Sequence, residues 1–167
     1  GLNVIMIESD DENYSRILAD DYRGGQLAAE LFLNKKYLPC AFFGDKSSDL
    51  SYSCHPSETR FQGYNDTLKK SGNNIEGKFI LESETTVEAA YEVFNNFLNK
   101  EKHPRAVFAM SDIHAIGILK AAREAGIRIP EDMALLGFDD IESADWMGLS
   151  TISQHLTDSG RIAAGLL

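Results

Sequence analysis

The chain has 167 residues, 43% hydrophobic and 25% charged, which suits one domain or a pair of small lobes with a buried core. A net charge of −10 argues against a direct grip on a phosphate backbone, since Lys and Arg carry that affinity. No apolar run reaches membrane-spanning length, no secretory signal is present, and Cys40 and Cys54 make no disulfide framework, so a reducing, cytoplasmic setting is expected, with no membrane partner.

Residues 4–7 form a short apolar strand, followed by a polar stretch over 8–15. Residues 22–36 have a helical pattern, with Leu27, Ala28 and Leu31 on one face and Lys35 and Lys36 suited to the C-terminal end. Residues 40–43 read as a buried strand closed by Gly44, and the long polar loop 45–57 has the composition of a mobile or ligand-facing segment. A helix over 58–70 stops before Ser71 and Gly72, and a strand over 79–81 follows. Residues 87–98 repeat Val87, Ala90, Tyr91, Phe94 and Leu98 at helical spacing. Two apolar runs, 106–110 and 133–138, each stop on acidic residues, Asp112 and the pair Asp139 and Asp140, with an amphipathic helix over 113–125 between them. A loop through Trp146, a last strand over 150–153 and a helix from Ser159 complete the chain. Strands alternating with helices of this length predict an α/β fold with a doubly wound parallel sheet. Both ends look cut, so the expectation is a piece of a longer protein.

Open α/β sheets bind ligands outside the carboxyl ends of their strands, where several polar residues fall. Asp139, at the end of a strand, can accept two hydroxyl hydrogen bonds, as sites that read a sugar or nucleoside do; Asp140 is given to capping the next segment. Arg60, in R-F-Q-G-Y beyond the strand 40–43, can pair with vicinal hydroxyls or a carboxylate, or form a structural ion pair. Ser111 and Asp112 lie one strand away, Asp112 as a helix N-cap and Ser111 facing the crevice. Trp146 serves either to stack on a ligand ring or to anchor its loop, and Gln154 is a polar residue ending the last strand. The four histidines lack metal-ligand spacing, and Gly24 and Gly25 come without a Walker lysine, so no metal, cofactor or phosphate cradle is expected. No nucleophile–base pair is apparent, so no enzymatic activity is expected.

Taken as a set, the segments LADDYRGGQLAAELF, AFFG, RFQGY, AVFAMSDIHAIGILKAAREAGIRIPEDMALLGFDDIESA, LSTISQ and GRIAAGLL carry a resemblance. They are similar to the effector-binding core of the lactose-repressor/galactose-repressor family of bacterial transcription regulators, which itself resembles the periplasmic sugar-binding proteins. The resemblance implies a type I periplasmic-binding-protein-like fold: a complete C-terminal lobe over 40–149 and part of an N-terminal lobe over 1–39 and 150–167. It places a helix-turn-helix headpiece outside the chain, and effector contacts at Arg60 and Asp139. Ser111 stands where the family often has Asn. The aromatic sometimes found near Thr85 is missing, which leaves Trp146 or Phe138 to take its part, and Lys35 and Lys36 replace the usual Gly-His.

The function so implied is sensing of a small polar effector, a carbohydrate, that changes the angle between lobes and thereby operator affinity in a homodimer. An extracytoplasmic sugar-binding protein of a transporter would share the pocket and differ in what precedes the chain. A phosphoacceptor receiver or an aspartate-using hydrolase, suggested by Glu8, Ser9, Asp10 and Asp11, ranks last because no Lys of the kind a receiver needs follows the strand 133–138.

Overall fold

Two consecutive phenylalanines show how the sheet is covered. Neighbouring side chains of a strand point to opposite faces, and Phe42 and Phe43 are only 3% and 0% exposed, so both faces of their strand are buried. The computed structural model describes residues 3–9, 11–46 and 56–167. In chain order these form β1 (Ile5–Ile7), β2 (Ser15–Ile17), α1 (Asp21–Asn34), β3 (Cys40–Asp45), α2 (Pro56–Lys70), β4 (Ile80–Ser83), α3 (Val87–Leu98), β5 (Ala106–Ala109), α4 (Asp112–Glu124), β6 (Ala134–Asp139), α5 (Glu142–Met147), β7 (Ser150–Ser153) and α6 (Leu156–Leu166).

The main sheet has the order β4-β3-β5-β6-β7, and every neighbouring pair is parallel. On one face α1 and α2 bring Ala28, Ala29, Phe32, Tyr64 and Leu68 against Phe42, Phe108, Leu136 and Phe138. On the other, Phe94 and Phe97 of α3 and Ala115 and Ile118 of α4 cover Ala41, Phe43, Val107 and Leu135. The chain leaves β3 for β4 on one side and returns to β5 on the other. That reversal opens a crevice outside the carboxyl ends of β3 and β5. A separate parallel pair, β1 and β2, packs with α6.

The doubly wound parallel sheet is as expected, but several local expectations are corrected. Leu27 and Leu31 are each 40% exposed, so the buried face of α1 is instead Gly24, Gly25, Ala28, Ala29 and Phe32. Small residues are needed there because α2 crosses at backbone contact: a Cβ on Gly25 would overlap the Arg60 carbonyl, and one on Gly63 the Tyr22 carbonyl. Gly44 does not end β3, which runs on to Asp45. The segment through Trp146 is the short helix α5, closed by Gly148 in the left-handed conformation at φ 67°. The lobe boundaries at 39/40 and 149/150 do not follow the packing: α1 lies on the main sheet and β7 is hydrogen-bonded to β6. Among the described residues, the smaller unit is β1, β2 and α6.

Because the α1–α2 crossing has no room for a methyl group, Gly63→Ala is expected to destabilise the chain by about 1–3 kcal/mol through overpacking. Urea unfolding reads this directly, and an unchanged midpoint would mean that the two backbones are not in contact.

Candidate functional site

A charged side chain taken out of water must be paired, and Arg60 meets that demand on several sides. It lies in the second turn of α2 and is 4% exposed. Its Nε donates to Asp21 Oδ1 of α1 at 2.8 Å, and its Nη1 donates to the Met110 carbonyl beyond β5. Nη1 also stands 3.7 Å from Asp139 Oδ1 at the end of β6. The guanidinium lies over the Phe138 ring, with Cζ 3.6 Å from the centroid, and Gly24 leaves room for the other part of that ring. The ion-pair reading of Arg60 is met by its contacts within the protein. Its Nε edge is a structural ion pair, while Nη1 faces the strand-end carboxylate.

Asp139 accepts a hydrogen bond from Gln154 Nε2, just beyond β7, so the structure brings together Arg60, Asp139 and Gln154 from the sequence-predicted set. Burial pushes the Asp139 carboxyl above its ordinary pKa, while Arg60 and Gln154 pull it back. Its side chain keeps 24% exposure, enough to be reached from the crevice.

The other expectations change. Ser111, not Asp112, is the N-cap of α4: its Oγ accepts the His114 N–H at 3.4 Å and lies 2.7 Å from His114 Nδ1. With Ser111 only 4% exposed, most of its hydroxyl capacity is turned inward. Asp112 is 0% exposed and accepts the Ile141 N–H at 3.0 Å, so it faces the protein interior. Asp140 does not cap α5, whose N-cap is Ile141 without a side-chain bond; instead the Asp140 N–H donates to Thr151 Oγ1 at 3.2 Å. Trp146 is 84% exposed on α5, so it does not anchor its segment to the core. Gly24 and Gly25 serve helix and ring packing. In the acidic segment 8–11, Glu8 accepts the Ala19 N–H and Asp11 the Asn13 N–H, beside β1 and apart from the main sheet. Asp10, Cys54, His55 and most of the polar loop 45–57 lie outside the described residues.

The sequence that builds this fold matches a known domain. The pattern of the periplasmic binding protein-like domain covers residues 29–167. The chain belongs to that family. Among its relatives, the HTH-type transcriptional repressor PurR of Actinobacillus pleuropneumoniae serotype 3 is 29% identical over 174 residues, covering 100% of this chain and 50% of the relative. A regulatory protein of the LacI family from Chloroflexus aggregans has a similar structure, with a TM-score of 0.83 and 26% identity over 95% of this chain and 56% of that one. A LacI family transcriptional regulator from Arthrobacter sp. FB24, solved in complex with lactose, has a TM-score of 0.84 and 27% identity over 97% of this chain and 59% of that one. The chain is thus a periplasmic binding protein-like domain of the LacI-family effector-binding kind, and it spans about half the length of the curated relatives it matches. No helix among the described residues is long and apolar enough to cross a membrane.

Within this periplasmic binding protein-like domain, sequence reasoning missed Asp21 and His114. Asp21 sits one residue past the Asp20 N-cap, where an acid is ordinary for a helix start and gives no sign of a partner 39 residues away. His114 is 0% exposed and packs at 5.6 Å on the Phe43 ring. Its i+3 spacing from Ser111 was the available signal. Burial depresses the His114 pKa below its ordinary 6.5, so its contribution to stability is present above 6.5 and is lost as pH falls toward the folded value. In His114→Gln, that part of the acid-side loss of stability disappears; thermal melts of both proteins between pH 7 and about 5 measure it. Parallel pH profiles would show that His114 titrates alike in the folded and unfolded chains.

Proposed function

We propose that this chain is the effector-sensing part of a cytoplasmic bacterial transcriptional regulator that binds a neutral, hydroxyl-bearing ligand, a sugar, at the Arg60–Asp139–Gln154 cluster. The observation that carries this reading is the 3.7 Å gap between Arg60 Nη1 and Asp139 Oδ1. It is too long for a direct hydrogen bond and suits a hydroxyl that accepts from the one and donates to the other. The charge balance favours a neutral ligand over a phosphate or carboxylate, because two carboxylates, Asp21 and Asp139, already face the single guanidinium. The lactose bound to the Arthrobacter relative is of this chemical class.

Operator binding in this reading belongs to a helix-turn-helix headpiece outside the chain, working in a homodimer. The ligand acts by preferring one arrangement of the lobes, and its effect is limited to that difference in affinity. No reaction is involved, in keeping with relatives that are repressors. A transporter's solute-binding protein would use the same chemistry, and the regulatory character of the relatives favours the sensor.

The test is thermal shift of the full-length protein against neutral sugars (lactose and ribose among them), sugar phosphates and nucleosides. A neutral sugar at about a hundredfold its Kd should stabilise the wild type by roughly 2.7 kcal/mol and leave Asp139→Ala unmoved. Stabilisation by phosphorylated compounds alone, or a Asp139→Ala protein that responds like the wild type, would overturn the reading.

A further inference from the structure

Asp139 and Asp140 are both non-glycine residues at positive φ, 116° and 61°, in immediate succession at the end of β6. Such backbone is unfavourable for an L side chain and persists only where the surroundings hold it. Holding groups are present on the next two amides. The Asp140 N–H is accepted by Thr151 Oγ1 at 3.2 Å, and the Ile141 N–H by Asp112 Oδ2 at 3.0 Å. Asp112 is wholly buried, and its other oxygen, Oδ1, has no hydrogen-bond partner among the described residues.

A half-paired carboxylate buried to this depth is costly. It is not explained by the start of α4, which Ser111 already caps. The surroundings are shaped to keep it: Gly137 of β6 lies against Oδ1, and a Cβ there would collide with that oxygen. Burial raises the Asp112 pKa, with Thr151 and the Ile141 and Asp140 amides acting against that rise.

We infer that Asp112 is a positioning residue: with Thr151 it pins the strained turn so that the Asp139 carboxylate is delivered to Gln154 and to the Arg60 guanidinium. Asp112 touches no ligand itself. It makes the strand end rigid, and a rigid strand end fixes the gap that a hydroxyl would bridge. The inference takes its functional meaning from the effector reading, but its test needs no ligand.

The measurement is the side-chain amide signal of Gln154 in isotope-labelled full-length protein, together with hydrogen exchange of the Asp140 and Ile141 amides. In the wild type, the Gln154 amide bonded to Asp139 should resonate away from solvent-exposed glutamine. Asp112→Asn keeps an oxygen for the Ile141 N–H and should preserve both readouts. Asp112→Ala should bring the Gln154 signal to the solvent position and speed exchange of the two amides by about tenfold or more, with β3 and β5 still protected. Gly137→Ala should do the same with Asp112 intact, by driving its carboxylate from the slot. If either disruptive variant lowers the melting temperature while the Gln154 signal stays in place, Asp112 merely supports the fold and the inference is wrong. An Asp112→Asn protein as disturbed as Asp112→Ala would overturn it too. Failure of every sugar to bind, with the Gln154 signal behaving as expected, would remove the proposed function and leave the positioning role standing.

Discussion

The structure turns on one buried guanidinium. Arg60 bonds α1 through Asp21, the turn after β5 through the Met110 carbonyl, and faces Asp139 at the end of β6 while lying on the Phe138 ring. The charged and polar partners, Asp21, Met110 and Asp139, come from three different parts of the fold, so moving any of them leaves a buried charge short of its compensation, a situation far costlier than a missing surface ion pair. The small residues around it follow from the same demand. Gly25 and Gly63 let α1 and α2 approach until Asp21 and Arg60 meet, and Gly24 accommodates the ring on which the guanidinium lies.

That arrangement gathers the polar groups of several strand ends at the sheet reversal. The polar groups at the strand ends are oriented by bonds within the protein. Arg60 is held by protein partners on its Nε side, Asp139 by Gln154, and the turn carrying Asp139 by Asp112 and Thr151.

The sequence was most legible where strand and helix periods were undisturbed. Val87–Leu98 and Ser150–Ser153 fall where their patterns put them, and an apolar run ending in acids located the strand end that bears Asp139. Legibility failed where a contact, not a pattern, decides. Leu27 and Leu31 follow a helical apolar stripe, yet backbone contact through Gly25 turns them outward. In S-D before a helix, either residue can cap; the choice of Ser111 depends on Asp112 finding the Ile141 N–H 29 residues later. β2 is three residues of S-R-I, too short and polar to carry a period. Trp146 had two readings in sequence, and its exposure on α5 removes the anchoring one.

The pairing of Arg60 with Asp21 also bears on ionic strength. Salt weakens attractions between charges that face water and are separated by more than about 8–10 Å. Here the charge is compensated inside the protein, at 2.8 Å from Asp21 and with side-chain exposures of 5% and 11%. The attraction that holds Arg60 in place is therefore insulated from the salt content of its surroundings, unlike a nucleic-acid contact, whose strength falls steeply as salt rises.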